Sequence, residues 1–406
     1  MQYTHGSIIP LCGGFSLAAS NILIKPPEVI FSWKAFYDND KLYLRYLKQH
    51  NIEVPYYQID DENFDIDKIT ETYKGKICIS HGIPPCSALS MCSQLKAGTR
   101  TTYESVNWLY KSAEFMFKYI SPQVHVVENA PGLFTSSGDE VRNRLIKIGE
   151  DFGYAVTFYK TNTLKHGIPQ FRPRTFAIFL KGNQAPILDY YDIQAPHISD
   201  YLKQIPKTTS LQDAYMTEEW DITKWEITKY FKHLYGEDWK NEIYKIYKPH
   251  LTSYDYLKRQ GLLQDFKDFL QTMPNASEIV KKNLDHVIKK TSVGKNFRLG
   301  YRVLGLDRDY VYAVISEMMQ RTVHPTEERL MNIREYMHLM NLPHDYELES
   351  PKEYAKITQN VPVKTCESII IEIVEIIKGN RVLSNKSVLM QDNTKENEIV
   401  KTKSLF

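Results

Sequence analysis

The sequence has no apolar run near the ~20 residues needed to cross a bilayer, no CxxC pair and no excess of charge of one sign. Each absence removes a class of protein. The opening MQYTHGSIIPLCGG carries no basic region ahead of a long apolar stretch, so a chain inside the cell, off the membrane, is the expectation. Five cysteines are an odd number without paired spacing, which excludes a disulfide framework and a zinc site; no metal is expected, and reduced thiols fit that compartment. Lys and Arg number 51 against 49 Asp and Glu, a net charge of +2, so bulk charge does not announce a polyanionic partner.

What is there describes a globular chain. Its 406 residues are 42% hydrophobic and 25% charged, enough for about two domains. Local charge is less even: residues 281–302, KKNLDHVIKKTSVGKNFRLGYR, hold seven Lys or Arg against one Asp. Such a run suits phosphate contact and equally suits a solvated face. The 28 tyrosines fit base stacking and core packing alike.

The first ~185 residues alternate short apolar runs with helical stretches. Candidate strands are 6–11, 28–33, 76–80, 123–129, 154–161 and 174–181; candidate helices are 38–51, 102–120 and 138–153. This alternation predicts an α/β fold with a doubly wound, mostly parallel sheet, whose chemistry gathers at strand carboxyl ends. From 186 to 320 the pattern turns Tyr- and Lys-rich, without βα alternation, and reads as a second, smaller domain. Helical patterns return at 325–343 and 367–380, so residues 321–382 are expected to come back to the first domain. The polar stretch 383–406 has no usable periodicity and reads as a disordered tail.

Four stretches carry chemistry. In SIIPLCGGFSLA (7–18) a strand runs through paired glycines into a helix start, exposing backbone N–H groups to a ligand; the same pair also serves a plain turn. Asp38, after the second strand, suits a ribose diol or a helix cap, and Asp65 in FDID stands before the strand at 76–80. In GIPPCSALS (82–90), Pro84 and Pro85 stiffen the approach to Cys86 at a strand end. VHVVENAPGLF (124–134) ends a β-branched strand in Glu128 and Asn129, where a carboxylate is costly unless paired or used. In HGIPQFRPRTFAIF (166–179), Arg172 and Arg174 alternate out of a strand start and suit an anion or a planar base.

In this order and spacing the set resembles the C5-cytosine DNA methyltransferase family over nearly the whole chain. PPCSALS resembles its nucleophile motif, ENAPGL its acid motif, HGIPQFRPR its arginine motif and IIPLCGGFSLA its cofactor loop. RTVHPTEERLMNIREYMHLMNLP (321–343) and ITQNVPVKTCESIIIEI (357–373) resemble its late motifs. The resemblance implies the S-adenosylmethionine-dependent methyltransferase fold, with Cys86 as nucleophile and Glu128, Asn129, Arg172 and Arg174 about the base. It implies cofactor contacts from Ile9, Cys12, Gly13, Gly14, Asp38, Asp65, Ile66, Pro85, Asn360 and Val361. Residues 186–320 would be the target-recognition domain, 87–102 a mobile segment hinged at Gly98, double-stranded DNA the partner, S-adenosyl-L-homocysteine the by-product and a monomer the working form. Departures stand at Leu11, where glycine is usual, and at Ile83, Ser87, Gln359 and Asp38. Two rivals stay open: a methyltransferase of tRNA cytosines, and an inactive DNA-binding descendant.

Overall fold

A computed structural model of the chain describes residues 3–90, 104–206, 221–246, 253–292, 310–313, 323–350 and 353–394. The chain divides into two compact units: Met1–Ala195 with Leu339–Glu347 and Lys356–Phe406, and Pro196–His338 with Leu348–Ala355.

The first unit carries a sheet built from β1 (His5–Ile8), β2 (Val29–Ser32), β3 (Tyr56–Gln58), β4 (Ile79–Gly82), β5 (Val124–Asn129) and β6 (Tyr154–Asn162). After the two-residue β7 (Gln170–Phe171) comes β8 (Pro173–Lys181); β9 (Val311–Tyr312) belongs to the second unit, and β10 (Val388–Asp392) closes the sheet. The sheet order is β10-β6-β8-β5-β4-β1-β2-β3. Every pairing is parallel except those of β8, which runs antiparallel between β5 and β6. The expected mostly parallel sheet is therefore present. The run at 76–80 forms its strand slightly later, at 79–82, and β3 is a strand that the sequence pattern did not mark.

Parallel strands buried on both faces need helical cover. In the first unit α1 (Gly14–Leu23), α2 (Tyr37–Gln49), α3 (Ile66–Tyr73), α4 (Glu104–Phe115) and α5 (Asp139–Asp151) lie between strands. One core joins Leu109, Phe117, Val127, Leu145, Phe158 and Phe179, all nearly sealed from solvent. Each such side chain contributes about 1.5–3 kcal/mol of burial.

The second unit is helical: α6 (Ile198–Leu202), α7 (Glu226–Tyr235), α8 (Trp239–Ile246), α9 (Ser253–Arg259), α10 (Leu263–Thr272) and α11 (Glu278–Ser292). They close on Phe231, Trp239, Tyr256, Phe266 and Leu284. The basic run divides: 281–292 lies in α11, and 293–302 falls outside the described residues. The helix expected over 325–343 is only α12 (Ile333–Leu339). Asn332 starts it late through a reciprocal capping box, accepting the Glu335 N–H at 2.9 Å while Glu335 accepts the Asn332 N–H at 2.8 Å. Before it Val323 bridges Leu330.

After α13 (Tyr354–Ile357), α14 (Val363–Ile377) packs on α1 in the first unit. The expected disordered tail is corrected for its first part. Residues 388–392 form β10 on β6, held by Gln391, whose amide donates to Leu188 O at 3.1 Å and accepts its N–H at 2.9 Å, and by Asn393, which donates to Thr161 Oγ1 at 3.0 Å. Residues 395–406 lie outside the described residues.

Candidate active site

Antiparallel β8 explains how an arginine at a strand start reaches the edge where parallel strands end. Glu128 pairs with Phe176 and Asn129 with Thr175, so Arg174 falls one residue past the end of β5. There its Nε meets Glu128 Oε1 at 2.7 Å, with the glutamate side chain 2% exposed. Next to β5, β4 ends at Gly82 and the chain runs through Ile83, Pro84 and Pro85 to Cys86. A 3-10 turn, Ser87–Leu89, follows at once, with the Leu89 N–H donating to Cys86 O. This turn lies so close to Gly132 that a Cβ there would come within 2.2 Å of Leu89 O. The glycine of ENAPGL thus lets the cysteine loop sit against the carboxylate strand.

Arg172 is fully buried and fastens the site from behind. Its Nη2 donates to Thr358 O at 2.5 Å and to Asn360 O at 2.9 Å, and its backbone N–H donates to Asn162 Oδ1. The alternation that puts Arg172 and Arg174 together in the sequence thus separates their tasks: one binds backbone carbonyls, the other the carboxylate. Asn129 is buried; its Oδ1 accepts the Ala130 N–H, and its Nδ2 has no protein partner among the described residues.

Burial sets the protonation states. It raises the half-buried Cys86 thiol, against the lowering pull of Arg174; Glu128 raises it further and Arg172 opposes. It also raises Glu128, with Arg174 and then Arg172 opposing. Burial and the neighbouring Arg174 push Arg172 down to about 9, which leaves it charged at neutral pH.

The β1–α1 turn lies beside this edge, where the Ile83 N–H reaches Ile9 O. Ile9 and Cys12 are fully buried, and Gly13 caps α1 at φ 77°. Gly14 abuts the start of the C-terminal helix: its N–H donates to Asn360 Oδ1 at 3.0 Å, and a Cβ on it would meet Val361 O at 2.3 Å. Asn360 Nδ2 is buried with no protein partner among the described residues, an open donor at a helix N-terminus. That donor set fits the carboxylate of an amino-acid-bearing cofactor. Ile9, Cys12, Gly13, Gly14, Asn360 and Val361 are thus brought together, with Pro85 on the neighbouring loop.

Asp65 instead caps α3, accepting the Asp67 and Lys68 N–H groups, and Ile66 opens that helix. Asp38 does not join the turn: its side chain is 79% exposed and paired with Lys41. The acid that reaches the turn is Asp40, which accepts the Leu11 N–H at 3.0 Å. Sequence reading missed it, although a signal existed. Asp40, Tyr43 and Leu47 share the buried stripe of α2, so the helical phase distinguishes the two acids of DND. The segment expected to be mobile lies, from residue 91 on and including Gly98, outside the described residues.

Comparison with known proteins fits this geometry. The chain is 23% identical to the type II methyltransferase M.Eco47II of Escherichia coli, over 77% of this chain and 67% of that protein. It is 25% identical to M.PspPI of Psychrobacter, over 78% and 68%. The fold matches a solved DNA modification methyltransferase from an Escherichia coli prophage at TM-score 0.55 and 14% identity, covering 93% of this chain and 99% of that one. The sequence profile of C-5 cytosine-specific DNA methylases matches residues 4–375. The chain belongs to the C-5 cytosine-specific DNA methylase family and is a DNA (cytosine-5-)-methyltransferase.

Proposed function

We propose that the chain methylates carbon 5 of a cytosine flipped out of double-stranded DNA, through a transient bond from Cys86 Sγ to carbon 6. The observation that carries this reading is a half-buried cysteine, a buried carboxylate, a buried arginine (Arg172) and a half-buried one (Arg174) meeting at one sheet edge beside a glycine turn. S-Adenosylmethionine, when bound at that turn, supplies the methyl group and leaves as S-adenosylhomocysteine.

The protein's part is to make carbon 5 nucleophilic. The Cys86 thiol gives up its proton to solvent and Sγ adds to carbon 6; electron density moves toward carbon 5 while ring N3 takes a proton from Glu128. After methylation, water takes the carbon 5 proton, Sγ leaves with the electrons of its bond to carbon 6, and N3 returns its proton to Glu128, which restores the aromatic ring and the acid. Raised by burial, Glu128 favours the protonated form that this donation requires. Arg174 orients that carboxyl, Arg172 ties the base site to the Asn360 segment, and Asn129 shapes the end of β5. Ile9, Cys12, Gly13, Gly14, Pro85, Asn360 and Val361 line the cofactor's place, with Asp65 and Ile66 for its base end. Asp38, exposed and paired with Lys41, gains no support from the geometry.

Flipping the base costs a few kcal/mol, which contacts to DNA must offset. The helical second unit, whose α11 carries residues 281–292 of the basic run, is the part assigned to target recognition. The chain works as a monomer inside the cell; no described helix is long and apolar enough to cross a membrane.

The test uses labelled S-adenosylmethionine with duplex DNA or tRNA, comparing wild type with Cys86→Ala, and a duplex carrying 5-fluorocytosine. Label in DNA that disappears with the substitution, together with an adduct that survives denaturing electrophoresis, is the expected result. Label in tRNA alone moves the substrate to RNA, and absence of both label and adduct refutes the reading.

A further inference from the structure

The proposed reaction leaves the buried acid beside the cofactor turn unused. Asp40 is fully sealed from solvent on the inner face of α2, and its oxygens are engaged from two other elements. Leu11 in the β1–α1 turn donates its N–H to Oδ1 at 3.0 Å, and Tyr56 in β3 donates its hydroxyl to Oδ2 at 3.2 Å. One turn further along α2, Tyr43 packs on Gly13 so closely that a Cβ there would fall 2.2 Å from the ring. The inner face of α2 therefore grips the turn at two points.

That turn needs a grip. Ile9 and Leu11 lie at φ 52° and 53°, a left-handed conformation that side chains disfavour and a β-branched one most of all. Glycine would adopt it freely; leucine must be held there.

We propose that Asp40 is a positioning residue of the cofactor site: by accepting the Leu11 N–H, it holds the Ile9–Gly14 turn in the shape that receives S-adenosylmethionine. The inference rests on the cofactor reading given above. The groups facing Asp40 are uncharged: a backbone N–H from the turn, the Ser32 hydroxyl from β2 and the Tyr56 phenol from β3. Burial pushes its carboxyl up to about 7. An ionised carboxylate accepts an N–H more strongly than the neutral acid does, so the hold weakens as the pH falls through that value.

The full chain is titrated calorimetrically with S-adenosylhomocysteine between about pH 6 and about pH 8, a span that brackets the shifted carboxyl. Wild type is expected to bind about tenfold more weakly at the acid end, a change of about 1.4 kcal/mol. Asp40→Asn, nearly isosteric and still an acceptor, should bind with a flat profile over that span. Asp40→Ala should lose about tenfold throughout. Adding Leu11→Gly to Asp40→Ala should restore most of the affinity, because glycine holds a positive φ without a tether.

A residue that merely supported the fold would lower the melting temperature without this rescue. If Asp40→Ala does not fold, the Asn variant still carries the pH readout. Variants that bind as tightly as wild type, with the same pH profile, overturn the role of Asp40 alone. A wild-type chain that takes up no S-adenosylhomocysteine at any pH overturns the cofactor reading and this inference with it.

Discussion

Cys86 and Glu128 have opposite requirements, since the nucleophile must lose a proton and the acid must hold one, yet burial raises both. Arg174 favours the anion of each, so its removal should move both groups up. In Arg174→Gln the pH midpoint for iodoacetamide alkylation of Cys86 should shift to higher pH; in Glu128→Gln, which deletes a negative neighbour, it should shift lower. Mass-spectrometric peptide mapping separates Cys86 from Cys78, the other described cysteine that is not fully buried. Equal midpoints in all three proteins would show that these charges do not act on the sulfur. Glu128→Gln should also slow methyl transfer at least about a hundredfold while S-adenosylhomocysteine binding is unchanged, because it removes a proton donor and leaves the cofactor turn intact. Glu128 and Arg174 were legible because each puts a charge at the end of an apolar strand, where it is costly, and Cys86 because two prolines stiffen the approach to it just past a strand end. The separate work of Arg172 was not, because its partners, Thr358 and Asn360, are backbone carbonyls far along the chain.

At the scale of elements, the meeting of α1 with α14 depends on one missing side chain. Gly14→Ala would drive a Cβ against Val361 O and the Asn360 amide, all backbone or short side chain with little room to yield. Overpacking of this kind costs about 1–3 kcal/mol. The expected result is a lower melting temperature together with weaker S-adenosylhomocysteine binding; unchanged values for both would mean that the two helices do not share this contact. Long apolar strands such as β5, β6 and β8 were readable from sequence, whereas β3 and β10 were not. β3 has three residues, too few for a period. β10 takes its partner from β6, 232 positions away in the Lys160–Asp392 pair, and its burial does not alternate: three residues are half-buried, Met390 is exposed and Gln391 is buried. Its existence is decided by pairing and by the amides of Gln391 and Asn393, which local propensity does not contain.

For the whole molecule, the convergence of distant segments at the site is reached by burying ionisable groups throughout the first unit, and this fixes how it responds to acid. His5, His81, His125 and His166 are fully buried and held neutral: burial lowers all four, His125 and His166 to about 3. Their hydrogen bonds suit the neutral ring, as with Ser16 at 2.9 Å from His81 Nε2 and Ser80 at 2.8 Å from His125 Nδ1. In the unfolded chain each binds a proton near pH ~6.5, so their contribution is present above that value and is lost as the pH falls toward the folded values. Asp40 and Glu128 act in the opposite direction, because burial raises both carboxyls; Asp40, raised to about 7, makes the native state take up a proton in the same range. His81, His125 and His166 against Asp40 leave the unfolded chain binding about two more protons near pH ~5.5, a slope of about 3 kcal/mol per pH unit. The urea midpoint of the full chain should therefore fall steeply below pH ~6.5. His125→Gln, which removes one titrating group, should make that fall shallower by about 1.4 kcal/mol per pH unit. A midpoint that stays level between about pH 7 and about pH 5 would mean that these rings titrate alike in the folded and unfolded chains.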